Sequence, residues 1–253
     1  MDTLDLASFR AAVQQLPYPA LFATVSGAHL YGFPSPDSDV DLRGAYVLPL
    51  AEVIGLKTPR ETFERKLQQG GRELDLVAHD IRKFLTSLLN KNGYVLEHLY
   101  SPLVVQGGAA FEELRVLGHG CISRHLYHHY AGFARNQIKL FERESPRRVK
   151  TLLYIYRVLL TGIWALQTGE VEANLPRLNE SFQLPFIPDL IAQKRQELAA
   201  LTPGDLSLHE ATITRLQAQL ESAFQESRLP EAATNRPALH DFLVRVRLEA
   251  PRG

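Results

Sequence analysis

Ser26-Gly-Ala-His-Leu-Tyr-Gly-Phe-Pro-Ser-Pro-Asp-Ser-Asp-Val-Asp-Leu-Arg-Gly44 is the stretch on which the reading of this 253-residue chain turns. It joins a small-residue turn to two aspartates, Asp39 and Asp41, with one residue between them. Side chains at i and i+2 of a β-strand point to the same face, so the spacing predicts that both carboxylates project together. Adjacent carboxylates repel, and one is driven toward protonation unless a cation compensates. Their hard oxygens suit Mg²⁺, which commonly takes one or two carboxylates together with substrate phosphates. Upstream, Gly27 and Ala28 lack bulk, so their backbone N–H groups are expected to approach a phosphate closely. Ser26 adds a hydroxyl there, and His29 and Ser38 are further candidate phosphate ligands.

Working outward, Leu21 to Val25 is a short β-prone run entering the turn, and Asp39 to Leu48 is a second strand bounded by prolines. Leu74 to Ala78 reads as a third strand, with Thr62 to Leu67 as an edge strand and Gly70-Gly71 as a hairpin turn. A two-metal phosphoryl-transfer site needs a third acid near the attacking oxygen. Asp75 sits mid-strand in Glu73-Leu-Asp-Leu-Val77 and is preferred to Asp80, which precedes Ile81 in the manner of a helix N-cap. Asp5 to Gln15 and Ile81 to Leu89 have helical spacing, with Asn92-Gly93 as the expected stop of the latter. Beyond residue 105 the pattern is helical, near 109–117, 122–143, 148–168, 188–200, 206–226 and 236–247, and the tail 250–253 is expected to fray. The expected fold is therefore α+β: a small mixed sheet in residues 1–105 followed by an all-α lobe in 106–253.

The hydrophobic fraction of 45% and charged fraction of 22% describe an ordinary globular protein. The single cysteine, Cys121, excludes an internal disulfide and any zinc site built from several cysteines. No stretch reads as the ~20 consecutive apolar residues of a membrane span, and the acidic start, with Asp2 and Asp5, is unlike a secretory signal, so a cytoplasmic protein is expected. Formal net charge is zero, yet residues 115–157 hold nine Lys/Arg against Glu142 and Glu144, a local net of +7. That region suits an anionic partner such as RNA. Within it, Lys150, Tyr154, Arg157 and Thr161 share one helical stripe, which faces either solvent or a cleft. Lys150 and Arg157 are then candidate cations for a triphosphate. His119, His125, His128 and His129 cluster without the neighbouring Glu that a zinc-peptidase helix needs, and read as a helix surface or an RNA-facing patch with Tyr127 and Tyr130.

The stretch Ser26 to Asp41 resembles the signature of the DNA polymerase beta superfamily of nucleotidyltransferases. Leu30-Tyr-Gly32, Ser38-Asp-Val-Asp-Leu-Arg-Gly44, Glu73-Leu-Asp75, Lys83-Phe84 and Leu96-Glu97 are similar to the RlaP-type group associated with RNA ligases and RNA repair. The resemblance implies two Mg²⁺ ions, with Mn²⁺ as a substitute, and transfer of a nucleotidyl group from an NTP such as ATP with loss of pyrophosphate. It implies Asp39, Asp41 and Asp75 as the metal-holding catalytic acids, and Gly27 with Ala28 as the Gly-Ser pair. Ala28 departs from the usual Ser or Gly, so a hydroxyl contact to phosphate falls to Ser26 or another donor. An RNA end suits the basic region as acceptor. The alternatives are nucleotidylation of a small molecule or protein, and a non-catalytic nucleotide or RNA sensor, which would not need the third acid.

Overall fold

The computed structural model describes residues 4–57, 59–69, 71–196, 201 and 206–250. The fold is α+β. Five strands, β1 (Ala20–Val25), β2 (Val40–Tyr46), β3 (Thr62–Gln69), β4 (Arg72–Asp80) and β5 (Val104–Gln106), form one sheet in the order β3-β4-β2-β1-β5. β2 and β4 run parallel and the other pairs antiparallel, so the sheet is mixed. Side chains alternate between its faces. On one face Ala23, Val25, Val40, Leu42, Leu74, Leu76 and Ala78 pack on Phe9, Ala12, Val13 and Leu16 in a single apolar core. On the other, Phe22 stacks on Phe111 of α6 (Ala109–His119) and meets Phe84 of α4 (Ile81–Leu89) edge-on.

The chain divides into two compact units: Met1–Leu30, Ser38–Cys121 and Ala233–Gly253 in the first, Tyr31–Asp37 and Ile122–Ala232 in the second. A single cut after residue 105 would fall within β5 and part it from α6, although both lie in the first unit. The last described helix, α12 (Arg236–Glu249), also belongs to the first unit. There the Arg247 guanidinium donates to Asp80 and to the Leu48 carbonyl. In the second unit α7 (Leu126–Arg143), α9 (Leu175–Phe182), α10 (Ile187–Arg195) and α11 (Leu206–Glu226) surround α8 (Val149–Thr168). Contrary to the expectation from sequence, α8 is long and apolar enough to span a membrane by length and composition. Most of it is buried inside the protein, as expected of a core helix.

Several local expectations are corrected. Asp5 to Gln15 forms only one helical turn, α1 (Arg10–Val13), flanked by i→i−3 bonds such as Ser8 N to Asp5 O and Leu16 N to Val13 O. Short segments rarely sustain a full helix without repaying the cost of nucleation. Asn92-Gly93 does not end α4, which is capped at Asn90. The Asn92 side chain instead accepts from Tyr94 N and starts α5 (Gly93–Tyr100). The short helices α2 (Gly27–Tyr31), α3 (Leu50–Ile54) and α9 are additions to the expected pattern; α9 is capped by the Asn174 side chain. Gln69 pairs with Arg72 and Gly71 has φ +76°, while Gly70 itself lies outside the described residues. So do 1–3, the end of the segment expected at 188–200, and the tail 251–253.

Candidate active site

The parallel register of β2 and β4 sets Asp41 opposite Asp75. Neighbouring strands lie ~4.8 Å apart, so the carboxylates share one face at close range. Between them sits Arg43, two residues along β2 on that face. Its Nη2 lies 2.5 Å from Asp41 Oδ1 and 2.9 Å from Asp75 Oδ2, while Nη1 donates to the carbonyls of Asp75 (2.6 Å) and Leu42 (3.0 Å). Burial alone would lower the Arg43 pKa, but the charge of Asp41, then of Tyr94 and Asp75, raises it. The carboxylates keep some access to solvent, at 20% for Asp41 and 28% for Asp75. Asp39 lies one residue before β2 begins and is exposed. The structure thus brings Asp41 and Asp75 together and leaves Asp39 at the lip. Among the described residues, no three His, Cys, Asp or Glu side chains converge as a ready-made metal cage. The oxygen-only pair, already holding a cationic group, nevertheless fits Mg²⁺, which leaves coordination positions to substrate phosphate and water.

The small-residue turn is the first turn of α2. Gly27 has φ +62°, and a Cβ there would overlap Asp41 Oδ2. Glycine is required twice over, by the left-handed backbone and by the close approach of the Asp41 carboxylate. The expected close neighbour of this turn was a phosphate; the structure places Asp41 there first. Ser26 N donates to the Asp41 carbonyl at 2.8 Å. Its hydroxyl is buried with no hydrogen-bond partner among the described residues, a donor that phosphate could take up. Ala28 is buried, and His29 and Ser38 are half-buried. Gly27→Ala is expected to push Asp41 out of register with Asp75 and lower turnover by about 10²-fold. The variant should remain folded by circular dichroism; unchanged turnover would show that Asp41 can move freely.

The second unit places its candidates differently. Lys150 is exposed at the start of α8, whereas Arg157 and Thr161 are fully buried. The Arg157 guanidinium lies 3.9 Å from the Tyr31 ring centroid and 5.7 Å from that of Phe133. Tyr154 packs edge-on against Tyr31 and Phe33. Tyr154 and Arg157 therefore serve as a seat for segment 31–37. Lys194, which no sequence motif singles out, places its Nζ 3.0 Å from Ser35 Oγ. The Asp37 carboxyl is held below its ordinary range, chiefly by a hydrogen bond from Ser35 and further by Lys194 and Lys150.

The histidines do not converge on a metal. His119 packs on Tyr100 in the first unit, and His125 stacks on His128 beside Phe224. Burial, then the charge of Arg157, pushes the His129 pKa down to about 4. Tyr130 is fully buried, which removes it from any RNA-stacking surface. Tyr127 stacks on Phe224 and bonds Glu221.

Comparison with known proteins gives the family of the chain. A relative from Methanocaldococcus jannaschii, an uncharacterized protein, is 36% identical over 154 residues, covering 61% of this chain and 63% of its own length, somewhat under two thirds. The uncharacterized protein YcgL of Bacillus subtilis is 28% identical over 218 residues, 84% of this chain and 80% of its own. A solved nucleotidyltransferase-like protein from Exiguobacterium sibiricum 255-15 aligns over 98% of this chain and 81% of its own, at 14% identity and a TM-score of 0.35, a likeness too weak to argue from. The model of the RNA repair pathway DNA polymerase beta family, RlaP, matches residues 1–245, and the chain belongs to that family of polymerase-beta-type nucleotidyltransferases.

Proposed function

We propose that this protein transfers an NMP from an NTP to a hydroxyl acceptor, an RNA end, with release of pyrophosphate. The observation that carries the reading is the side-by-side placement of Asp41 and Asp75, with Asp41 against the Gly27 turn. The acceptor oxygen attacks the α-phosphorus, the bond from that phosphorus to the pyrophosphate oxygen breaks, and the acceptor proton is lost toward the acids. Asp41 and Asp75 would hold Mg²⁺ or Mn²⁺, with Asp39 completing the set from the lip. The ions supply charge neutralisation of the triphosphate and of the leaving pyrophosphate. Asp75 is assigned to the acceptor side, and Ser26, Gly27, Ala28, His29 and Ser38 to the phosphates. A cytoplasmic setting is part of the proposal.

The RNA assignment rests on charge. Arg147 and Arg148 are engaged by Glu210 and Glu144, at 2.7 and 2.6 Å. Arg135, Lys139 and Arg143 fall at steps of four on α7 and are exposed, a basic stripe suited to a phosphate backbone. Replacing all three with Ala is expected to weaken binding of single-stranded RNA in anisotropy titrations. The slope of log affinity against log salt should flatten by ~0.7 for each phosphate that is no longer neutralised. RNA binding that is undetectable at low salt, or unchanged in the triple variant, would move the assignment to a small-molecule or protein acceptor.

A further inference from the structure

Arg43 stands where a cation belongs. One nitrogen of its guanidinium spans the two acids, and the other is tethered by two backbone carbonyls that no ligand would alter. On its other side Asp41 is bounded by Gly27, which its second oxygen already abuts. Only 11% of the Arg43 side chain is exposed, so solvent screens its charge weakly. We propose that Arg43 is the positioning residue of this site, an internal counter-cation that holds Asp41 and Asp75 in place and gives them up to a divalent ion by exchange.

The inference rests on the reading of those aspartates as metal acids. Without Arg43 two carboxylates would face each other across parallel strands with no compensating charge, and would splay or protonate. With it they stay aligned, and the tether to the Asp75 and Leu42 carbonyls keeps the guanidinium nearby once Nη2 lets go. The cost is competition: the arginine occupies the acids and repels an incoming cation. A guanidinium serving only the sheet would make no difference to metal affinity, or would strengthen it by keeping the acids in order.

The test is Mn²⁺ binding to the full chain without nucleotide, followed by electron paramagnetic resonance of free Mn²⁺, with melting temperatures in chelator and in Mn²⁺. Arg43→Gln is expected to bind Mn²⁺ on the order of tenfold tighter than wild type. It should also melt lower in chelator, with a larger recovery on adding Mn²⁺ than wild type shows. Arg43→Lys retains charge but cannot span both acids and both carbonyls; it serves if the Gln variant fails to fold, and is also expected to bind tighter. Affinity equal to or weaker than wild type in the folded variant overturns the inference. Asp41→Asn, measured alongside, separates the two claims. If it weakens Mn²⁺ binding while the Arg43 variants do not tighten it, only the role of Arg43 falls. If it leaves Mn²⁺ binding unchanged, the reading of the acids falls as well.

Discussion

Asp41→Asn is expected to lower nucleotidyl transfer by at least ~10³-fold while leaving the fold intact. Loss of a charged metal ligand removes several kcal/mol of stabilisation at the point where charge moves to the leaving pyrophosphate. The substitution is close to isosteric. An amide oxygen can still accept from Arg43, and the ion pair from Arg43 to Asp75 remains. Melting temperature and circular dichroism should therefore change little. Asp39→Asn should act in the same direction from its exposed position, and Asp75→Ala should lower kcat more than nucleotide affinity. Activity above a tenth of wild type in Asp41→Asn, measured on folded protein, would remove Asp41 from the chemistry.

Asp80→Ala is expected to have its large effect on stability instead. The Asp80 carboxylate is fully buried and accepts from Arg82 N (2.9 Å), where it caps α4, from Leu48 N (3.2 Å), and from Arg247 of α12. Truncation leaves the buried Arg247 guanidinium on the Leu48 carbonyl without its carboxylate, and leaves the helix start uncapped. Breaking a buried pair in this way costs roughly 3–5 kcal/mol. For a chain of this size the melting temperature should fall by on the order of 10 °C in calorimetry. Transfer by the folded fraction should change only a few-fold. A variant that melts like wild type but has lost transfer would mean that Asp80, rather than Asp75, serves the acceptor.

Much of the sheet was legible because its strands are short apolar alternations closed by Pro and Gly, and α4 because its apolar face repeats at helical spacing. Arg43 was open to discovery from the same period: it follows Asp39 and Asp41 at i+4 and i+2, on the same strand face. The meaning of Gly27 was harder to see. Its left-handed turn is visible as a glycine, but its neighbour Asp41 is fourteen residues away in sequence and arrives only when β1 and β2 pair. Asn92 misled because Asn suits a helix end and a helix start alike, and only the bond to Tyr94 N decides. β5 is three residues long, too short for any periodicity. The assignment of 31–37 to the helical unit and of α12 to the sheet unit follows from pairings over long sequence separations, Tyr31 with Arg157 and Asp80 with Arg247. No local pattern carries such information.

The most direct test of the central claim follows the phosphates separately. Wild type and Asp41→Asn are incubated with Mg²⁺, RNA and NTP labelled either on the α- or on the γ-phosphate, and label is measured on RNA and in pyrophosphate. The account predicts that wild type moves α-label onto the RNA and releases γ-label as pyrophosphate, and that chelator or Asp41→Asn stops both. Transfer of γ-label to the acceptor, or α-label transfer that persists undiminished in Asp41→Asn, would contradict it.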